Sequence, residues 1–301
     1  MAKAEKAGVG HDAGREMKNP PRARRLAETW SRLKKNRVAF TSFWLLVVFL
    51  LIAVFADVIA PYSYSEQNLM NIFQAPSREH LFGTDQYGRD IFSRVLYGSR
   101  ISLSVGFIAV GVALIAGGIL GSIAGFYGGH VDNIIMRCMD ILLSIPSVLL
   151  ALAIVATFGT SVVNLMIATG ISTVPGYARL VRASILSIKD QEFVEAAKAV
   201  GTGDAEIIVR HILPNCLAPI LVQATFGVAT AILTVAGLSF VGLGLQPPIP
   251  EWGSMLSDAR NFIRNYAYMM VSPAVAIALT VFCLNSLGDG LRDALDPKLR
   301  D

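Results

Sequence analysis

Charge is what this sequence has least of. Only 16% of its 301 residues are Asp, Glu, Lys or Arg, against roughly 25% in a soluble domain. The deficit comes in blocks: no such residue occurs between Arg100 and Asp132, from Ile141 to Ala178, from Ile212 to Pro250, or from Ala267 to Gly288. Roughly 20 apolar residues in a helix cross a hydrocarbon core about 30 Å thick, so gaps of this length exclude a soluble chain and predict an all-α, polytopic membrane protein. Cysteine is scarce as well. Cys138, Cys216 and Cys283 lie far apart in or beside apolar segments, with no C-x-x-C pair and no histidine at ligand spacing; they read as small hydrophobes, not as a metal site.

Catalytic signatures are also missing. There is no H-E-x-x-H for zinc, no G-x-S-x-G nucleophile elbow and no G-x-x-x-x-G-K-[ST] phosphate loop. The sequence therefore offers no catalytic, cofactor or metal residues, and the chain should not hydrolyse ATP itself. Ser286 to Asp289 falls one residue short of the G-x-G-D signature of membrane aspartyl proteases, with Asp140 as a conceivable second acid. Nothing in the sequence brings the two carboxylates together, and both read as charges at membrane edges. An ion-coupled secondary transporter would need an ionisable group deep in the bilayer. The middles of all the expected spans lack one, since Asp57, Asp140 and Asp289 can each reach the interface.

What is present is an ordered series of apolar segments. Residues 1–37 form a basic N-terminal tail, of which 1–28 show no helical periodicity and read as disordered. The tail holds 11 of the 26 Lys and Arg residues, so the net charge of +4 is a flank beside a span and does not indicate nucleic acid. The first span is 38–60, too long and too far from the N-terminus for a cleaved secretory signal. A mixed segment, 61–100, follows. The second span, Ile101 to Tyr127, carries Gly117 and Gly121 as a G-x-x-x-G pair, a motif that lets helix backbones approach closely. Packing within this chain is preferred over a dimer contact. The 38 uncharged residues from Ile141 to Ala178 read as two spans broken at Gly159-Thr160-Ser161. Leu217 to Leu243 and Met269 to Leu287 complete six, and 289–301 form a C-terminal tail. If the basic tail is cytoplasmic, the inner segments hold 20 Lys and Arg and the outer ones, 61–100 and 244–268, hold 6. That bias supports the orientation, with both termini inside.

Between the fourth and fifth spans lies the segment with most information, 190–214. Asp190 is expected to cap a helix whose apolar stripe is Phe193, Ala196, Ala197 and Val200. Gly201 is expected to end it in a left-handed turn, Thr202 to Asp204 to restart a second helix, and Pro214 to end that one. A small-residue apolar face suits close seating in a groove on another protein. A helix resting on lipid headgroups would carry more Lys and Arg than the single Lys198.

These residues resemble the EAA loop of ABC importer permeases. Glu195-Ala196-Ala197, Gly201 and Leu213-Pro214 match its spacing, with His211 standing where the general pattern has Ile and Ile212 following it. Three further stretches, Gly83 to Arg94 (GTDQYGRDIFSR), Gln246 to Gly253 (QPPIPEWG) and Gly288 to Lys298 (GDGLRDALDPK), are similar to the second permease subunit of peptide and nickel importers. The resemblance implies a type I importer transmembrane domain with its core at 101–288 in a bacterial inner membrane. It implies pairing with a homologous but different permease, two ATP-binding cassette subunits beneath, and an extracytoplasmic binding protein that delivers substrate. Peptide is the implied cargo, with nickel or another small solute as the alternative. Glu195, Ala196, Ala197, Gly201, Leu213 and Pro214 would dock the ATPase subunit; Arg89, Asp90 and Trp252 are the expected contacts for the binding protein.

Overall fold

The computed structural model describes residues 22–296, and every described regular element is helical. In chain order these are α1 (Arg22–Lys35), α2 (Arg37–Val54), α3 (Ala56–Ile59), α4 (Ile91–Tyr127), α5 (Gly129–Leu143), α6 (Ser147–Phe158), α7 (Val162–Leu186), α8 (Glu192–Ala199), α9 (Asp204–Glu206), α10 (Leu213–Leu238), α11 (Trp252–Ala259) and α12 (Tyr268–Leu295). Wide π turns at Ile207–Ile212 and Ser239–Leu243 flank α10, so that Asp204–Leu243 forms a helical arm of 40 residues that kinks at Gly242, whose φ of +88° lies outside the helical region.

Helix starts follow the side chains that can satisfy the first free backbone N–H groups. Asn36 accepts the Ala39 N–H, Asp90 the Ser93 N–H at 2.7 Å, Ser161 the Asn164 N–H and Glu251 those of Gly253 and Ser254. The Asp90 cap starts α4 ten residues before the expected second span, so Ile91–Arg100 are its opening turns and not part of a loop. At the N-terminus the structure corrects another expectation. Residues 22–28 belong to α1, and α1 fills most of the described part of the basic tail; positions 1–21 and 297–301 lie outside the described residues.

The bundle is organised around the pairing of α4 with α7. A Cβ on Gly117 would sit 2.8 Å from the Val174 carbonyl oxygen, one on Gly121 2.4 Å from that of Ala178, and one on Gly125 3.1 Å from that of Arg182. The G-x-x-x-G stripe thus seats a helix of its own chain. The partner positions rise in step with those on α4, so the two helices run parallel, and the chain between them must return. That return is α5 and α6, bent by 82° at Ser144–Pro146.

By length and hydropathy, four described helical segments can cross a membrane: α2, α4, the α9–α10 arm and α12; the bent α5–α6 pair brings the number to five. The expected sixth, α7, is 25 residues long, about 37 Å at 1.5 Å per residue, but carries Asn164, Thr169, Ser172, Thr173 and Tyr177. Its length would suffice for a crossing, and its polar residues Thr169, Ser172 and Tyr177 are buried among neighbouring helices. The expected six crossings therefore reduce to four single segments and one bent pair that pass on hydropathy, with α7 the segment that does not.

Contacts sort the connections into two ends. At one, Gly290 of α12 meets Leu33 and Ala39 from α1 and α2, and Lys198 lies over the Phe126 ring at 5.5 Å. At the other, Arg94 donates to the Tyr64 and Pro248 carbonyls at 2.9 and 3.2 Å, and the Trp252 indole donates to Val95 at 3.0 Å. The segments expected inside share the first end; both outer segments share the second.

Candidate functional site

At the first end, α8 is a two-turn helix with Gln191, not Asp190, in the N-cap position. Its buried side is Val194 at 0% and Ala197 at 7% exposure, packed with Val181 and Ile185 of α7 and with Ile207, Ile212 and Cys216 at the start of the arm. The expected stripe is therefore rotated. Phe193, Ala196 and Val200 face outward, Val200 at 81% exposure, and Glu195 stands beside them. A helix with apolar residues on two sides holds its own bundle with one and keeps the other free.

Gly201 closes α8 as expected, at φ +82°. Its N–H donates to the Lys198 carbonyl at 3.0 Å and the Thr202 N–H to that of Ala197 at 3.1 Å. These are the paired bonds of a Schellman stop, which needs a residue in the left-handed region. A Cβ on Gly201 would meet no atom within 4 Å, so the demand for glycine here is conformational and not steric.

Pro214 does not end the second helix. It lies in the first turn of α10, directly after the π turn, where Leu213 N–H reaches back to the Ile208 carbonyl. Proline lacks an N–H to donate, and a widened turn upstream accommodates its ring. The same turn accounts for His211. It advances the helix face, so Ile212 takes the fully buried position and His211 remains half-buried.

The docking set thus divides. Glu195 and Ala196 are outward, Ala197 is turned into the bundle, Gly201 makes the turn, and Leu213 and Pro214 are half-buried behind it. Two clamps were not apparent from the sequence. Arg182 of α7 holds Asp132 of α5 through Nε and Nη2, both at 2.5 Å. Asp140 pairs with Arg179 at 2.5 Å, as expected of an edge charge.

At the second end, the three expected partner contacts are interior. Arg89 is 1%, Asp90 3% and Trp252 1% exposed, and side chains so enclosed present no surface to a binding protein. Their work is internal. Arg89 Nε donates to Asp85 at 2.6 Å and its Nη2 lies 3.8 Å from Asp258; Asp90 caps α4 and holds His80 Nδ1 at 2.9 Å. Trp252 fills the notch over Gly98. Beside it, Glu251 is fully buried, has no cationic partner among the described residues, and accepts from Gly253 N–H at 2.7 Å, Ser254 N–H at 2.8 Å and Ser102 Oγ at 3.5 Å. Burial pushes its carboxyl upward, opposed by those hydrogen bonds.

Comparison with known proteins agrees with this architecture. Residues 117–301 match the family described as binding-protein-dependent transport system inner membrane component, and 25–76 match the N-terminal TM domain of oligopeptide transport permease C. The chain is 52% identical over 273 residues to the dipeptide transport system permease protein of Alkalihalophilus pseudofirmus, covering 91% of this chain and 90% of that one. It is 45% identical over 274 residues to the glutathione transport system permease protein of Escherichia coli O6:K15:H31, with the same coverages. In fold it is similar to the MetNI methionine ABC transporter in its inward-facing conformation, with TM-score 0.54, 18% identity and coverage of 67% of this chain and 97% of that one. An amino acid ABC transporter gives TM-score 0.52 at 16% identity, covering 68% and 95%. The chain belongs to the membrane-embedded permeases of binding-protein-dependent ABC importers, in the branch that contains the oligopeptide permease C proteins.

Proposed function

We propose that this permease forms half of the pathway of an ATP-driven importer of short peptides in a bacterial inner membrane, with both termini cytoplasmic. A homologous second permease supplies the other half, two separate ATPase subunits dock below, and an extracytoplasmic binding protein delivers cargo at the end built from 61–90 and 244–267. Relatives named for dipeptide and for glutathione, itself a short peptide, support this cargo class.

One observation carries the coupling role: α8 is bonded to the bundle on one side and free on the other. Phe193, Ala196 and Val200, with Glu195 beside them, offer a groove of the ATPase subunit a small apolar face. Val194 and Ala197 lock the opposite side to α7 and to the base of the arm. A push on α8 is therefore delivered to two long helices at once, and α10, 26 residues and about 39 Å long, carries it across the membrane as a rigid-body tilt.

The test is a cysteine at Val200 in the assembled importer, in a Cys138→Ser background. It should crosslink to the ATPase subunit, and uptake of a labelled dipeptide should require ATP and be competed by other short peptides. Crosslinking from the periplasmic face, or uptake by this chain alone on an ion gradient, would overturn the reading.

A further inference from the structure

Helix α1 has no place in the coupling scheme, yet its position is specific. Between Arg22 and Arg37 the sequence has seven Lys or Arg residues and one acid. The sequence alone allows this to be an ordinary basic flank. The structure folds it back. The Trp30 ring packs edge-on against Phe40 at 5.9 Å and Phe43 at 5.2 Å, and Leu33, 3% exposed, lies against Ala39 and Gly290 of the bundle.

Phe43 is six residues into α2, about 9 Å along its axis. Helix α1 therefore runs beside the first two turns of the span and does not hang below it. The apolar run of α2 begins at Val38, which puts these turns at the boundary between hydrocarbon and headgroups. Aromatic rings cluster there, with Trp44 half exposed beside Phe43, as rings do at a membrane interface.

With its apolar side held by protein, α1 turns its other side outward at headgroup depth. Lys34, Lys35 and Arg37 are exposed, and Arg32 is half-buried. Among the described residues neither Lys35 nor Arg37 has an acidic partner. We infer that this face binds the headgroups of anionic phospholipids in the leaflet at the α1 end, anchoring the α1–α2 elbow. A phosphodiester at this depth meets several cations arrayed along one helix, and each basic residue near an anionic surface adds to the attraction.

The complete importer, purified in lipid discs of equal phosphatidylcholine and phosphatidylglycerol, provides the test. Native mass spectrometry of the permease should show retained phosphatidylglycerol in excess. The R32Q/K35Q/R37Q variant should lose that excess by roughly fivefold or more, whereas R32K/R37K should keep it. A second measurement stands apart from folding of the triple variant. A nitroxide at Lys35→Cys, in a Cys138→Ser background, should be relaxed by a paramagnetic agent on lipid headgroups. Equal phosphatidylglycerol retention by the triple variant, or a Lys35 site shielded by the ATPase subunit and silent to headgroup agents, would overturn the inference.

Discussion

Gly121 of α4 approaches Ala178 of α7 so closely that a Cβ on the glycine would stand 2.4 Å from the Ala178 carbonyl oxygen. The obstacle is backbone and cannot rotate away. Gly121→Val should therefore part the central helix pair, costing at least the 1–3 kcal/mol typical of overpacking. Gly118→Ala, three residues earlier, faces nothing within 4 Å and should be neutral or slightly stabilising. Melting in detergent, followed by fluorescence-detected size exclusion, separates the two; equal behaviour would mean that α4 and α7 do not share this seat.

The proposed docking on α8 predicts a different pattern of losses. Val200→Glu alters a side chain that is 81% exposed, so stability should change by about 0.5 kcal/mol or less, while uptake and cargo-stimulated ATPase activity should fall about tenfold or more. Val194→Asp, on the buried side, should instead prevent stable insertion. Full uptake by a well-expressed Val200→Glu importer would remove the outward face from the docking site.

Gly201→Val tests the turn itself. No atom stands within 4 Å of its new Cβ, but φ +82° costs a branched residue about 1–2 kcal/mol. The permease should still insert and pair, with α8 ending one turn differently and ATP hydrolysis uncoupled from uptake. Coupled transport at the wild-type rate would show that the stop is not required.

Arg89→Ala should act on stability and not on recognition. Asp85 would keep only the more distant Arg94 Nε at 3.8 Å and its backbone donors, a loss of up to about 3 kcal/mol for a weakened interior pair, seen as a lower melting temperature and faster proteolysis of 61–90. Binding-protein affinity measured on the folded fraction should be unchanged. Reduced affinity with unaltered melting would restore Arg89 as a contact residue.

Glu251 predicts a pH dependence. Its folded pKa is raised from about 4.5 by burial, so the folded state binds more protons than the unfolded one above that value. The stability it contributes is fully present below about pH 4.5 and is lost as pH rises through the folded pKa. Glu251→Gln should flatten that fall in melting temperature as pH rises above about 4.5. Glu251→Ala should lower stability at every pH by about 1–2 kcal/mol through loss of the α11 cap. An unchanged pH slope in the Gln variant would assign the slope elsewhere.

Much of the segment 190–214 was legible because its signals are local. A glycine at a left-handed stop and a short helix before it depend on bonds between near neighbours, and Gly201 with Lys198, Ala197 and Thr202 formed as expected. Rotation of α8 was not legible. Phe193, Ala196 and Val200 have the same helical spacing as a buried stripe, and periodicity states that a helix has apolar sides without stating which one meets the bundle. Arg89, Asp90 and Trp252 were misplaced for a related reason: polar and aromatic residues in an outer segment look like contacts until partners far along the chain enclose them.

The sequence by itself determined where the membrane segments lie and which end carries the positive charge, because both follow from composition summed over a span. Only the tertiary structure decided that α7 buries its polar residues in the bundle beside α4, that Glu251 is sealed beside a serine 149 positions earlier, and that α1 is turned up against α2. These depend on which surfaces meet, and burial is a property of the pair of surfaces in contact, not of either stretch of sequence alone.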